Sequence, residues 1–230
     1  MAMGGRIKNN ERPKRLPLPI IGHIKCGMKS DRGYPMSTDY FVATGKYSRL
    51  FDEAYGAKPD VIQIVFPSDD ADMVCREEYE FRDEAGKLVA SGDGETFKVW
   101  STKTSTYAVF TTEQYPDIMD MVSSRHPKCQ WKVTLTLNFI IPKIRGVMGV
   151  WQFQTKGVAS TIPQIRDYFD EFYEQQGKVS GVIFDLSVIM AKSQKPGQSS
   201  KYPVVSLIAN ESRENLEMAQ ECRKPIMIGE

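Results

Sequence analysis

Alternating hydrophobic and polar positions mark the clearest strands of this chain. In Trp131–Phe139 every second residue is apolar and the residues between are Lys, Thr or Asn. This pattern predicts a strand with one face in the core and the other face wet or functional. The same alternation continues through Val182–Met190, and Tyr202–Leu207 is predicted to pair with it as an antiparallel hairpin. The polar segment Lys192–Ser200 is expected to form the flexible tip of that hairpin.

The remaining strands are predicted from short runs rich in β-branched and aromatic residues. They are Ile20–Gly27, Val61–Phe66, Glu78–Arg82, Leu88–Ser91, Tyr107–Phe110 and Gly149–Gln154. The turn-like segment Asp83–Gly86 joins the third and fourth of these runs as a hairpin. A polar loop rich in turn-forming residues is predicted over Met28–Pro35.

Apolar residues at three- and four-residue spacing predict the helices. The first covers Lys46–Tyr55, with Thr44 as a cap and Gly56 as a stop. The others are Glu113–Val122, a helix that opens at Thr161 with capping-box spacing and ends at Gly177, and the charged segment Glu211–Cys222.

The order of these elements predicts the fold class. Strands come in adjacent runs rather than in regular alternation with helices, which favours an α+β fold. We expect a mainly antiparallel sheet or a partly open barrel with three to four flanking helices. The expected organisation is a basic flexible arm (residues 1–15), a single α+β domain (16–208) and a C-terminal helix and tail (209–230).

Composition excludes several classes of protein. The chain has 230 residues, of which 41% are hydrophobic and 26% charged, which excludes general disorder and a fibrous chain. No apolar run approaches the ~20 residues of a membrane span, and none forms a signal-peptide core. We therefore expect a cytoplasmic protein without membrane contact. Its four cysteines lack paired spacing and are interpreted as reduced thiols.

Charge is divided unevenly along the chain although the net charge is only +1. Residues 1–50 contain ten lysines and arginines against three acidic residues, whereas residues 51–125 contain seven against sixteen. This division favours a cationic surface for nucleic acid or an acidic surface for a protein partner. The alternative is that the two segments lie side by side and neutralise each other.

Motifs for catalysis are missing from the sequence. It has no phosphate-binding loop, no dinucleotide fingerprint, no HExxH and no GxSxG. Asp69, Asp70 and Asp72 with His126 offer ligands for a metal-dependent hydrolase, but adjacent loop carboxylates more often form a turn and a helix cap. A non-enzymatic protein is favoured, with the hydrolase as an alternative.

The sequence gives little support for a bound metal. His126 and Cys129 have metal-ligand spacing but supply only half of a tetrahedral zinc site. Cys26 and Cys75 complete the set only if the fold brings them near. We expect no cofactor and keep zinc as the weaker alternative.

Basic residues interleaved with aromatic residues are the candidate sites for DNA or a protein partner. They are Arg6, Lys8, Arg12, Lys14 and Arg15 in the arm, then Arg32, Tyr34 and Tyr40, and further on Lys98, Trp100 and Lys103 with Tyr107. The segment Arg32–Phe41, followed by the first helix, is predicted to be the main recognition surface. Burial of the aromatic residues in the core is the competing interpretation.

Several short motifs together resemble a known family. They are Ile20–Lys25, Gly33–Phe41, Tyr55–Pro59, Ile64–Asp70, Ser91–Glu95, Leu137–Pro142 and Gly149–Thr155. From about Ile20 to Leu207 the chain resembles the phage recombination directionality factor-like family. The resemblance implies a non-enzymatic protein of a phage or mobile element whose partner is DNA, a large serine integrase, or both. The founding type switches such an integrase from integration to excision by protein contact.

The resemblance also bears on the alternatives. Many members of that family have a cysteine-rich segment before the strand that corresponds to Trp131–Phe139, whereas this chain has only His126 and Cys129 there. Zinc binding is therefore doubtful in this protein. A single-stranded-DNA-binding or annealing accessory of phage replication is the second hypothesis, and the metal-dependent hydrolase is the third.

Overall fold

The structure is a computed structural model that describes residues 18–193 and 200–210. The basic arm, residues 194–199 of the predicted hairpin tip and the predicted helix Glu211–Cys222 lie outside those residues. The division of the chain into arm, domain and tail stays a prediction.

Eleven strands and four helices form the part of the chain that the structure describes. The strands are β1 (Ile20–Lys29), β2 (Pro35–Thr44), β3 (Val61–Val65), β4 (Cys75–Arg82), β5 (Leu88–Gly92), β6 (Thr96–Ser101), β7 (Thr106–Thr111), β8 (Trp131–Phe139), β9 (Val150–Thr155), β10 (Ile183–Lys192) and β11 (Lys201–Ala209). The helices are α1 (Ser48–Tyr55), α2 (Ala71–Val74), α3 (Ile118–Arg125) and α4 (Thr161–Gln176).

Two sheets contain all of these strands. The large sheet has the order β2-β1-β9-β8-β4-β5-β6-β7, and the small sheet has the order β11-β10-β3. Every neighbouring pair is antiparallel except β1 and β9, which run parallel. The large sheet is open, with β2 and β7 as its edges. The predicted α+β class with a mainly antiparallel sheet is therefore confirmed.

The main hydrophobic core is built from both sheets and α4. Phe66 lies at its centre, with its ring centroid 5.2 Å from that of Phe169 on α4 and 5.2 Å from that of Phe184 on β10. All three side chains are at most 1% exposed. Full burial of each stabilises the fold by roughly 1.5–3 kcal/mol, so this cluster fixes α4 against the small sheet.

A second, smaller core attaches α3 to the β4–β6 end of the large sheet. The Trp131 ring centroid lies 5.2 Å from that of Phe81 and 5.4 Å from that of Phe97. The indole N–H of Trp131 also donates to the carbonyl of Met119 and to Oγ of Ser123, at 3.1 Å each. Trp131 therefore holds α3 through both packing and hydrogen bonds.

The sequence missed two strands. The predicted loop reaches Pro35 and no element is predicted for Thr96–Ser101, but Pro35–Thr44 and Thr96–Ser101 form β2 and β6. The first half of β2 combines exposed Pro35, Met36, Ser37 and Asp39 with buried Thr38, and β6 is only six residues long. Neither segment has an alternation strong enough to predict a strand without knowledge of its neighbours.

The predicted starts of two helices and the predicted cap of a third were wrong. α1 begins at Ser48 without a side-chain cap, and Thr44 instead donates its hydroxyl to the carbonyl of His23 at 3.4 Å. α3 begins at Ile118 rather than Glu113. The capping box at Thr161 is also wrong, because its Oγ1 accepts the backbone N–H of Val205 on β11 at 3.1 Å. Thr44 and Thr161, which were expected to cap α1 and α4, instead form hydrogen bonds with residues of β1 and β11.

The face of β8 predicted to be polar does carry polar side chains, but the residues at the centre of that face are buried. Thr134 and Thr136 are only 1% and 2% exposed. Glu78 lies opposite Thr134 on β4, and the side-chain amide of Gln154 on β9 donates to Oγ1 of Thr136 at 3.3 Å. Cross-strand partners share a face, so these longer side chains flank the two threonines.

Candidate interaction surfaces

The tip of the β1–β2 hairpin is the first candidate surface. β1 pairs with β9 only as far as Ile24, whereas its pairing with β2 continues to Lys29. At the turn, the N–H of Gly33 donates to the carbonyl of Ser30 at 2.7 Å, and the N–H of Ser30 donates to the carbonyl of Tyr34 at 2.8 Å. Gly33 has a φ of +81°, which glycine adopts without strain. The turn thus closes a two-stranded tip that extends past the pairing with β9.

Large side chains are exposed at this tip. The exposed fractions are 68% for Tyr34, 50% for Met36 and 45% for Met28. Met28 and Met36 are cross-strand partners and share one face, and the hydroxyl of Tyr40 donates to the sulfur of Met28 at 3.4 Å. Arg32 is exposed and forms no ion pair with any described residue. The tip therefore presents a cation, an aromatic ring and two thioethers to solvent.

Phe41, at the end of the predicted recognition segment, belongs to the core instead. It is 1% exposed and its ring meets that of Phe153 edge to face, with the centroids 6.5 Å apart. Tyr40 is only half-buried, and Nζ of Lys58 lies 5.5 Å from its ring centroid. Apart from Phe41 and Thr38, which are 1% and 5% exposed, the residues of the segment are exposed or half-buried.

The second candidate surface lies where β6 and β7 meet. The rings of Trp100 and Tyr107 contact each other edge to face, with centroids 5.1 Å apart, and the Tyr107 hydroxyl donates to the carbonyl of Leu88 at 3.0 Å. Trp100, Tyr107 and Lys103 line a cleft of about 1050 Å³ between this end of the sheet and α3. Lys98 is exposed but lies outside the lining of the cleft.

The fold keeps the two surfaces apart. β1 and β6 are separated by β9, β8, β4 and β5. At about 4.8 Å per strand this places them roughly 24 Å apart across the sheet. The candidates Arg32, Tyr34 and Tyr40 therefore form one surface, and Trp100 and Lys103 form another, while the candidates in the arm lie outside the described residues. The functional role of every candidate stays a prediction.

The carboxylates of the hydrolase hypothesis have structural partners. Oδ1 of Asp69 accepts the backbone N–H groups of Val179 at 2.8 Å and Ser180 at 2.6 Å, and its Oδ2 accepts the hydroxyl of Ser180 at 2.8 Å. Burial alone raises the pKa of Asp69, but these hydrogen bonds outweigh burial and leave the pKa below its ordinary value. Asp70 caps α2 by accepting the N–H of Asp72 at 3.1 Å. This agrees with the turn-and-cap interpretation of the segment.

The cysteine side chains in the described ranges are free thiols. Burial raises the pKa of both Cys26 and Cys75 to about 12. Cys129 donates its backbone N–H to the carbonyl of His126 at 2.9 Å. Within residues 18–193 and 200–210, no group of three or more His, Cys, Asp and Glu residues has a metal-binding arrangement. The expectation of no cofactor, with zinc as the weaker alternative, stays a prediction, which metal analysis of the purified protein tests.

Two residues of the second surface were missed by the sequence analysis. Lys87 and Arg125 line the same cleft as Trp100 and Lys103. They come from the turn before β5 and from the last turn of α3. The sequence does not indicate that Lys87 and Arg125 lie near Trp100, because their proximity depends on the packing of α3 against Trp131.

Exposed aromatic and basic side chains at two ends of an open α+β sheet are typical of binding proteins. The chain belongs to the Gp3-like family of recombination directionality factor-like proteins, whose family model matches residues 21–210. The resemblance stated from the sequence motifs is thereby confirmed.

Two other comparisons gave no match. Neither the curated proteins nor the solved structures include a chain with significant similarity to this one. Among the described helices, none has the length and apolar character needed to cross a bilayer.

Proposed function

We propose that this protein is a non-enzymatic accessory of phage or mobile-element DNA recombination that binds a large serine integrase in the host cytoplasm. Membership of the recombination directionality factor-like family supports a role in recombination. The proposed contact surface is the tip of the β1–β2 hairpin. The observation that carries this choice is the exposure of Tyr34 and Met36 beside Arg32, which forms no ion pair with any described residue.

The chemistry of the tip suits protein contact. Tyrosine and arginine are enriched among residues that dominate binding energy, and methionine adapts to irregular apolar surfaces. Because the turn at Gly33 and the cross-strand pairing already fix the backbone, binding costs little conformational entropy there. A rigid and largely exposed tip can therefore contact a partner without unfolding any part of the sheet.

A double variant tests this proposal. Arg32→Ala/Tyr34→Ala is expected to lose capture of the purified integrase while its melting temperature stays within about 3 °C of the wild type, because both side chains are exposed. Arg145→Ala/Tyr173→Ala is the matched control, because it removes an exposed arginine and an exposed tyrosine outside the predicted recognition surface. The control is expected to retain binding.

Two outcomes would contradict the proposal. Full integrase binding by a folded Arg32→Ala/Tyr34→Ala variant would exclude the tip as the contact surface. Failure of the wild-type protein to bind any large serine integrase encoded by the same element, or to change the direction of its recombination, would exclude the proposed function itself.

A further inference from the structure

The cleft beside α3 has an apolar floor and a basic rim. Val99 and Ala108 come from the sheet, and Val122 faces them from α3. The volume of about 1050 Å³ lies just above the ~300–1,000 Å³ range of sites for small organic ligands. The cleft is therefore too large for a single amino-acid side chain and large enough for a nucleotide.

Three cations on the rim have no partner in the described chain. Lys87, Lys103 and Arg125 are exposed and form no ion pair or side-chain hydrogen bond with any described residue. Asp83 is the one carboxylate in the lining, and its Oδ1 accepts the backbone N–H of Lys87 at 2.8 Å. The rim thus carries an excess of positive charge, which favours an anionic ligand.

Two aromatic rings border the same cleft, where Trp100 and Tyr107 pair across β6 and β7 on the face of the sheet opposite to Val99 and Ala108. Trp100 is 38% exposed and Tyr107 is 43% exposed. Their edge-to-face contact and the hydrogen bond from Tyr107 to Leu88 restrict both rings before any ligand binds. Such fixed rings stack on a planar base at a small entropic cost.

We propose that this cleft binds an unpaired nucleotide of single-stranded DNA, with the base against Trp100 and Tyr107 and the phosphates beside Lys87, Lys103 and Arg125. The inference goes beyond the proposed function, since it requires no integrase. Duplex DNA keeps its base faces stacked inside the helix, so a base can enter the cleft only after unpairing. An acidic peptide matches the cations but offers no comparable planar face to the two rings.

Tryptophan fluorescence reports on this site in the full chain. Trp151 is 1% exposed and Trp131 is half-buried with its indole N–H hydrogen-bonded, whereas Trp100 is exposed at the cleft. We expect an oligothymidylate to quench the fluorescence of the wild-type protein. A duplex of the same length and an abasic oligomer of the same length are expected to quench much less.

Variants separate the two parts of the site. Trp100→Ala is expected to weaken binding of a labelled oligothymidylate, measured by fluorescence anisotropy, by about tenfold or more. Lys103→Ala/Arg125→Ala is expected to reduce the slope of log affinity against log salt by about 1.4, which corresponds to two phosphates of a single strand. Lys192→Ala/Lys201→Ala, which removes two exposed cations at the end of the small sheet, is the matched control and is expected to change neither quantity.

Several outcomes would overturn the inference. Binding without any quenching would place the DNA elsewhere on the protein, and equal binding of the abasic oligomer would show that only phosphates are recognised. Stronger binding of a polyglutamate peptide than of the oligothymidylate would assign the cleft to an acidic protein segment. If Trp100→Ala does not fold, quenching of the wild type and the salt slope of Lys103→Ala/Arg125→Ala still decide the matter.

This test is independent of the proposed function. Trp100→Ala is expected to retain integrase binding, and Arg32→Ala/Tyr34→Ala is expected to retain quenching by the oligothymidylate. If the wild-type protein lacks either integrase binding or binding of the oligothymidylate, the other activity can therefore still be measured.

Discussion

At the scale of single residues, Asp69 shows how a candidate catalytic group can serve the fold instead. Its carboxylate accepts three hydrogen bonds from Val179 and Ser180, which lie about 110 positions further along the chain. These bonds attach the segment after β3 to the segment before β10. A carboxylate that is used in this way is expected to contribute to stability.

Asp69→Ala is therefore expected to lower the free energy of unfolding by about 1.5–3 kcal/mol, because a charged acceptor is removed and two backbone donors lose their partner. Denaturant unfolding measures the change. Asp72→Ala, at an exposed position of the same segment, is the control and is expected to stay within about 0.5 kcal/mol of the wild type. Equal stability of the two variants would contradict the structural role of Asp69.

Glu80 predicts a dependence of stability on pH. It is 5% exposed, Arg82 donates to both of its carboxylate oxygens at 3.0 and 3.1 Å, and Nζ of Lys156 lies 3.6 Å from Oε2. Burial raises the pKa of Glu80, but Arg82 and Lys156 outweigh burial and leave the pKa below its ordinary value of 4.5. Ionised Glu80 therefore stabilises the fold above that ordinary value, and the stabilisation is lost as the pH falls through the lowered pKa of the folded state.

Glu80→Gln is expected to lower the free energy of unfolding by about 1.5 kcal/mol at pH 7. The difference from the wild type is expected to shrink as the pH falls below 4.5, because the wild-type carboxylate then becomes protonated. Unfolding curves at pH 7 and in acid test this. Glu84→Gln is the control, since Glu84 is exposed and its ion pair with Lys128 is 3.8 Å long. A difference that stays constant with pH would contradict the assignment.

At the scale of secondary-structure elements, the sequence predicted those parts whose pattern is local. β8 has its predicted bounds, and β10 and β11 pair as expected, because strict alternation specifies both the strand and its buried face. β2 and β6 could not be predicted from local pattern, since pairing with β1 and β5 defines them. The same limit applies to the candidate sites. Arg32 and Tyr34 stand in a turn that the sequence signals, whereas Lys87 and Arg125 meet only through the packing of α3.

The contact between β1 and β9 gives a prediction at this scale. Gly22 on β1 lies against the ring of Trp151 on β9, and a Cβ at this position would lie within 2.7 Å of ring Cε3 and 2.9 Å from the carbonyl oxygen of Thr44. Trp151 is 1% exposed and packs against Phe51 of α1, so the ring has no free space to move.

Gly22→Ala is expected to lower the free energy of unfolding by about 1–3 kcal/mol through overpacking. A perturbed near-ultraviolet circular dichroism spectrum is expected as well, because the Trp151 ring must shift. Lys25→Ala, at an exposed position of the same strand, is expected to leave both measurements unchanged. A fully stable Gly22→Ala protein would show that the ring is not confined as the structure indicates.

At the scale of the whole molecule, the ion pairs of the described residues bear on the two interpretations of the uneven charge. Part of the acidic charge in residues 51–125 is met by cations later in the chain, since Lys128, Lys156 and Arg166 form ion pairs with Glu84, Glu80 and Glu77. Among the described cations of residues 1–50, only Arg49 forms an ion pair, with Glu53 at 2.9 Å. The other described cations of this segment, which are Lys25, Lys29, Arg32 and Lys46, are therefore not neutralised by an ion pair with a described residue.

This leaves the basic arm as a predicted contact for DNA phosphates. Removal of residues 1–15 deletes Arg6, Lys8, Arg12, Lys14 and Arg15. Each cation that neutralises a phosphate of duplex DNA contributes about 0.9 to the slope of log affinity against log salt, so the truncation is expected to weaken duplex binding and to reduce the slope by up to about 4.5. Titrations over a range of salt concentrations measure both effects. Replacement of the same five residues by Gln is the control for chain length and is expected to act like the truncation. An unchanged slope in both variants would show that the arm contacts no phosphates and only adds to solubility.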